Sequence, residues 1–454
     1  MVSAHIISTP IVTKELNNML KRDAIRYFEN WKKTKKNQGL LVTGARQVGK
    51  TFLVREFASK NYKNFVEINL LENKQAVSIL SDATDSSDLN MRISILAGEE
   101  LVPNETLIFF DEVQEYKEIV TAVKFLVKND EYDFVLSGSL LGVELKDIRS
   151  VPVGYLDIVN MYPLTLKEFF ISKGVSKDIL DVTGDCFINR REIPDYIHKH
   201  LMKLFYEYLI VGGMPAAVDA FCSSNNLQTV RRIHGNLIEQ NKWDISKYNR
   251  EHALSIKNIY DLIPGELNRQ NKRFLINNIN KNARFGRYEN LFVWLADAGV
   301  ALPAYNVEEP VYPLKLSQAS NLFKLFMADV GLLTSSFIKD TTIDILNRDP
   351  DINYGSIFEN FVAQELCAKG FEFYYYKNKK RGELDFVIEN RQGKVTPIEV
   401  KSGKDYKRHK ALNSVLSMAE YKIDEGFVLY DGNVLQEGNI SYLPVYTVAF
   451  FEDF

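Results

Sequence analysis

The stretch GLLVTGARQVGKTFLVREFA, residues 39–58, narrows the fold of this chain more than any other. It reads as a buried strand, a tight loop and then an amphipathic helix. The spacing of Gly44, Gly49, Lys50 and Thr51 fits G-x-x-x-x-G-K-[ST]. In that pattern glycines let backbone N–H groups turn toward phosphate oxygens, and the helix N-terminus adds positive potential. Lys50 is placed to reach the β and γ phosphates, Thr51 offers a hydroxyl to Mg2+, and Ala45, Arg46, Gln47 and Val48 complete the expected binding loop. A glycine-rich turn can match by chance, but a strand before it and a helix after it supply the context that phosphate binding requires.

LIFFDEVQ, residues 107–114, is an apolar run that ends in two acids. A buried parallel strand would deliver them at its carboxyl end, where ligands of open α/β sheets sit. Asp111 is expected in the Mg2+ shell and Glu112 is expected to polarise an attacking water. A third run, YDFVLSGS at 132–139, brings Ser137 and Ser139 to the same edge, either as γ-phosphate sensors or as caps of the next helix.

Together these runs resemble the AAA-type ATPases over roughly residues 37–165. The resemblance implies Gly44 to Thr51 as Walker A, Asp111 and Glu112 as Walker B, and Ser137 at the polar sensor position. ATP and Mg2+ are the cofactors it implies. No secure arginine finger is found; Arg149 lies in a suitable region with nothing around it to fix the role. A switch with slow hydrolysis therefore stands beside fast hydrolysis, and a monomer is expected rather than a ring. GTP is disfavoured, because no NKxD-type base-reading motif follows a later strand.

With 454 residues the chain exceeds one core, and about two to four units are expected. Its composition, 46% hydrophobic and 25% charged, is that of an ordinary globular chain. No apolar run approaches the length of a membrane span and the N-terminus lacks a signal-peptide arrangement, so a cytoplasmic protein is expected. Cys186, Cys222 and Cys367 have no CxxC spacing and read as reduced thiols. A net charge of −3 requires any nucleic-acid surface to be local. Basic clusters occur at Lys32, Lys33, Lys35 and Lys36, at Lys377, Lys379, Lys380 and Arg381, and at Lys404, Lys407, Arg408 and Lys410. Acyl transfer finds no G-x-S-x-G elbow, and the His residues lack metal spacing; His198 and His200 read as surface residues.

The middle turns helical from MYPLTLKEFF, 161–170, and LFYEYLIVGGMPAAV, 204–218, marks a sharp bend. That Gly-Gly-Met-Pro bend resembles a bacterial and archaeal family in which the ATPase is fused to a C-terminal domain of uncharacterised function. Residues 250–310 suit a winged helix, with Lys281, Arg284 and Arg287 as residues to test, although a packing role is equally served; Trp294 reads as core.

GSIFENFVAQELCAKG, 355–370, reads as an amphipathic helix with Phe358, Phe361, Val362 and Leu366 on one face and Glu359 beside it. Two strands follow, the second carrying Asp385, and then TPIEVKSG sets Glu399 and Lys401 two apart on one side of a third strand, before a helix at 404–420. Metal-assisted phosphodiester cleavage needs oxygen ligands, here Asp385 and Glu399, and a nearby cation, here Lys401, to orient or activate water. The order of elements resembles the restriction-endonuclease-like PD-(D/E)XK core. That resemblance adds Glu359 as an acidic residue on the first helix, and Leu384-Asp385 stands where the family has Pro-Asp.

The expected fold class is α/β, in three parts. These are a P-loop NTPase parallel-sheet domain over 1–160, a helical and winged-helix middle over 161–310, and an α/β restriction-endonuclease-like domain over 311–454. Two functional readings follow. In one, an ATPase controls a C-terminal nuclease acting on DNA or RNA; in the other, an ATP-dependent switch carries a non-catalytic module for a nucleic acid or a protein partner.

Overall fold

Among the residues described by the computed structural model (20–98, 100–139, 154–248, 251–281, 284–337, 341–349 and 352–453), five parallel strands follow from the apolar runs of the N-terminal third. They are β1 (Gly39–Gly44), β2 (Asn64–Asn69), β3 (Thr106–Asp111), β4 (Asp133–Ser137) and β5 (Leu156–Met161), in the order β2-β3-β4-β1-β5. The three central strands β3, β4 and β1 are buried on both faces because helices cover both, while the outer β2 and β5 alternate buried and more exposed residues. Leu41, Ile108 and Phe110 enter one core with Ile119, Val120 and Val123 of α5 (Glu118–Leu126). Leu40, Val42, Leu107 and Phe109 enter the other with Leu53, Val54 and Phe57 of α2 (Lys50–Asn61). Each fully buried Leu or Phe contributes about 1.5–3 kcal/mol, so the sheet centre is the stable part of this unit. α1 (Ile25–Thr34) lays Phe28 and Trp31 on the second face; α3 (Lys74–Ser81) and α4 (Ser86–Ala97) complete the first. This compact unit comprises residues 1–162 with 297–299.

The second compact unit takes residues 163–296 and 300–454. Its helices are α6 (Leu166–Ser172), α7 (Lys177–Ile188), α8 (Asp195–Val211), α9 (Pro215–Ser224), α10 (Leu227–Tyr248), α11 (Ala253–Leu267), α12 (Phe285–Asp297), α13 (Val330–Ser335), α14 (Thr341–Leu346), α15 (Tyr354–Ala368) and α16 (Lys410–Leu416). Its strands are β6 (Ala301–Val307), β7 (Gln318–Met327), β8 (Phe373–Asn378), β9 (Gly382–Glu389), β10 (Val395–Val400), β11 (Gly426–Tyr430), β12 (Leu435–Glu437) and β13 (Ile440–Pro444). They form one mixed sheet in the order β12-β13-β11-β10-β9-β8-β6-β7. The bend at Gly212–Met214 separates α8 from α9, and the buried Asp329 carboxylate accepts the Gly213 N–H at 2.6 Å.

Several expectations change. The strand after α12 is not a wing: β6 pairs with β7 antiparallel and with β8 in parallel, so a division at residue 310 would cut between two paired strands of the sheet. Secondly, α15 is not amphipathic but buried all round, from Ser356 through Leu366. Three of its polar residues bond distant backbone. Asn360 receives Met327 N–H and donates to Met327 C=O, Gln364 receives Val330 N–H, and Glu365 receives Leu166 N–H. Buried polar groups are tolerated when each is bonded in this way. Trp294 is buried, whereas His198 is half-buried and its Nδ1 lies 3.0 Å from Tyr446 Oη. The helix expected over 404–420 is shorter, with a turn after β10 leading into α16.

Candidate functional site

The loop joining β1 to α2 carries Gly44, Ala45, Arg46, Gln47, Val48 and Gly49. Gly44 holds φ at 131°, and a Cβ there would lie 2.2 Å from Met161 O, so any side chain would split β1 from β5. Gly49 caps α2 at φ 94° with no side-chain hydrogen bond, leaving first-turn amides of the helix for a ligand. Arg22 secures the loop from outside by donating to Val48 O at 2.7 Å.

Lys50 turns back into this loop, its Nζ donating to Gly44 O at 3.1 Å, Ala45 O at 2.8 Å and Ser139 Oγ at 3.1 Å. Its side chain is buried, and desolvation pushes the ammonium down to about 8 against the pull of Glu112 and Asp111. A buried cation held by neutral oxygens is suited to an incoming anion. Thr51 Oγ1 donates to Asp111 Oδ2 at 2.8 Å, while Ser137 Oγ and the Glu112 N–H, at 3.0 Å, both reach Asp111 Oδ1. The parallel register explains the meeting: β4 lies between β1 and β3, so the loop, the acids and Ser137 emerge at one edge. Glu112 sits in the left-handed region at φ 57° and is held by Gln114 Nε2. Ser139, a candidate sensor or cap from sequence, instead bonds the Lys50 ammonium. Arg149 lies outside the described residues.

The fit to Mg2+ is good here: a hydroxyl and a carboxylate of the expected types already touch. Because a phosphate would favour the charged form of Lys50, ATP affinity should be flat below about pH 8 and fall above it, approaching about tenfold per pH unit. Titrating a non-hydrolysable ATP analogue across that range measures this, and a flat profile to pH 9.5 or so would remove Lys50 from phosphate binding.

The C-terminal candidates also converge. Glu359 of α15, Asp385 of β9 and Glu399 of β10 lie in one cluster, with β8, β9 and β10 antiparallel and β11 parallel to β10. Asp385 Oδ2 accepts Val400 N–H at 2.8 Å, and Lys401 Nζ donates to Glu399 Oε1 at 2.6 Å. Two lysines that sequence reasoning passed over are there as well. Lys272 bonds Glu359 Oε1. Lys324 of β7, with no exposed side-chain surface, has Nζ 3.0 Å from Glu383, 3.3 Å from Glu359 and 3.7 Å from Asp385. Burial works against ionisation of Glu359, but Lys272 and Lys324 together hold it down at about 2; burial, Glu359 and Glu399 push Asp385 up. The residues do not fit a divalent ion as placed. Among the described residues no group of three or more His, Cys, Asp or Glu is arranged to hold one. The only signal in the sequence was an apolar strand, NLFKLFM, interrupted by one lysine.

Residues 36–170 match the family model described as an AAA domain. Residues 202–342 match a domain of unknown function, DUF8612, and residues 354–448 another, DUF4143. No curated protein matches the chain. Among solved structures it is similar to C. elegans PCH-2, at 15% identity and TM-score 0.28, covering 46% of this chain and 65% of that one. It is also similar to the Aeropyrum pernix ORC1 protein in complex with DNA, at 12% identity and TM-score 0.27, covering 73% and 93%. Drosophila ORC bound to DNA is similar at 14% identity and TM-score 0.28, covering 72% and 95%. Geometry and family match together support an AAA-type P-loop ATPase domain at the N-terminal end. No helix among the described residues is long and apolar enough to cross a membrane.

Proposed function

We propose that this protein is an ATP-dependent switch, hydrolysing ATP with Mg2+ in its N-terminal unit and binding nucleic acid through its C-terminal sheet. The observation that carries the first half is the junction of Thr51 Oγ1 with Asp111 Oδ2 at 2.8 Å beside a buried Lys50. Thr51 and Asp111 are the residues that would hold Mg2+, whose contribution when bound would be to neutralise phosphate charge. Lys50 and the loop amides bind and orient the β and γ phosphates. Glu112, held by Gln114, accepts a hydrogen bond from the attacking water and aligns it.

The second half is supported by where two basic clusters meet. The β8–β9 turn, with Lys379, Lys380 and Arg381, lies against the start of α16, since the Cβ position of Gly382 is 3.2 Å from Ala411 Cβ. Lys404, Lys407, Arg408 and Lys410 are exposed beside it. Some are paired, Lys407 with Glu437 and Arg408 with Asp405, but exposed pairs are weak and exchange readily for phosphate.

Hydrolysis assays with and without single- and double-stranded DNA or RNA test both halves. Glu112→Gln should lower kcat by roughly 100-fold or more while leaving nucleotide affinity within a few-fold. Nucleic acid should bind with salt-sensitive affinity. Undiminished turnover in Glu112→Gln would remove the water-positioning role, and absence of any nucleic-acid binding would favour a protein partner instead.

A further inference from the structure

We infer that the carboxylate cluster of the C-terminal sheet is built around resident ammonium groups, with Lys324 standing where a divalent ion would otherwise sit. This concerns the second unit alone and holds or fails independently of the ATP site. Four carboxylates, those of Glu359, Glu383, Asp385 and Glu399, face four ammonium groups, those of Lys272, Lys324, Lys377 and Lys401. The ammonium groups equal the carboxyls in number, so the described cluster has no surplus negative charge even with every carboxyl ionised, and Asp385 is pushed toward its neutral form.

A divalent ion added to it would leave two uncompensated positive charges in a buried place, or would have to expel Lys324. Expulsion is obstructed, because Lys324 has no exposed surface and its Nζ also lies 5.2 Å above the Tyr375 ring. The spacings are those of an ammonium. Its contacts to oxygen run from 3.0 to 3.7 Å, whereas Mg2+ requires about 2.0–2.1 Å and near-octahedral geometry. The oxygens are also in use, Asp385 Oδ2 by the Val400 amide and Glu399 Oε1 by Lys401. Glu399 Oε2 is buried without a hydrogen-bond partner, but a single oxygen does not hold Mg2+ against its own hydration shell. The sheet thus has the carboxylates of a metal site and the charge of a closed ion-pair network. Its C-terminal domain then serves for binding, with Lys324 tying β7 to α15 and β9.

Manganese binding to the full chain without nucleotide, followed by electron paramagnetic resonance and by thermal shift, decides the matter. Wild type and Asp385→Asn should bind Mn2+ alike, with no site that depends on Asp385. Lys324→Met, where folded by circular dichroism, should acquire a Mn2+ site, seen as at least a tenfold gain in affinity and a stabilisation lost again in Lys324→Met/Asp385→Asn. A wild-type Mn2+ site abolished by Asp385→Asn would overturn the inference, and this arm does not require the Lys324 variant to fold. A folded Lys324→Met that gains no site would also overturn it, since the ammonium would not then be filling a cation position.

Discussion

Lys50→Ala is expected to abolish ATP binding at ordinary working concentrations while leaving the fold intact. The ammonium is the buried cation of the loop, and its charge-assisted bonds to phosphate are worth about 1.5–3 kcal/mol each. Losing two of them weakens Kd by at least roughly 100-fold. Stability should move the other way from affinity, or hardly at all. Desolvation of Lys50 costs the apo protein free energy, which the alanine variant recovers, while Gly44 O, Ala45 O and Ser139 Oγ lose a donor. These opposed effects should keep the unfolding free energy within about 1–2 kcal/mol of wild type. Calorimetric titration with ATP and denaturant unfolding on the same samples measure both. Unchanged nucleotide affinity would defeat the assignment of the N-terminal site, and a collapse in stability would mean that the lysine is there to hold the loop.

The second large effect belongs to Lys324→Met. Removing one partner from a buried ion pair leaves uncompensated charge, which costs about 3–5 kcal/mol. Lys324 meets the condition for that figure, being fully buried among Glu359, Glu383 and Asp385. The sign with pH is informative. In wild type Glu359 is held at about 2, below its unfolded value near 4.3, so its stabilising contribution is complete above about pH 5 and is lost as pH falls toward 2. Asp385 is displaced upward and acts in the opposite sense, which makes the difference between variant and wild type the useful quantity. Without the ammonium the protonated carboxyls are favoured, so the variant should lose stability relative to wild type as pH rises from about 4 to 7. Urea unfolding at several pH values gives this difference. A variant within about 1 kcal/mol of wild type at pH 7 would show that the cluster is not held together by Lys324.

The N-terminal half was readable because its information is local. A strand, a turn with glycines at two positions and a helix occupy consecutive residues, and period and spacing alone specify what their backbone can do. Asp111 followed the same logic, an apolar run ending in acid at the carboxyl end of a buried strand. The αβββα order around Asp385 and Glu399 could be read likewise, element by element. The setting of α15 could not. Its residues Glu359, Asn360, Gln364 and Glu365 look like a solvent face in one dimension, yet their partners are Lys272, Lys324, Met327, Val330 and Leu166, tens to hundreds of residues away.

What the order of residues determined by itself was the chemistry each segment can offer: phosphate-binding amides, a lysine, paired acids, and carboxylates brought together by strand register. What only tertiary packing decided was the charge those groups meet. An ammonium on β7 enters the carboxylate cluster because β6 and β7 join the C-terminal sheet, and no periodicity along the chain encodes that approach. Electrostatic surroundings depend on distances through space, and those exist only once the chain has folded.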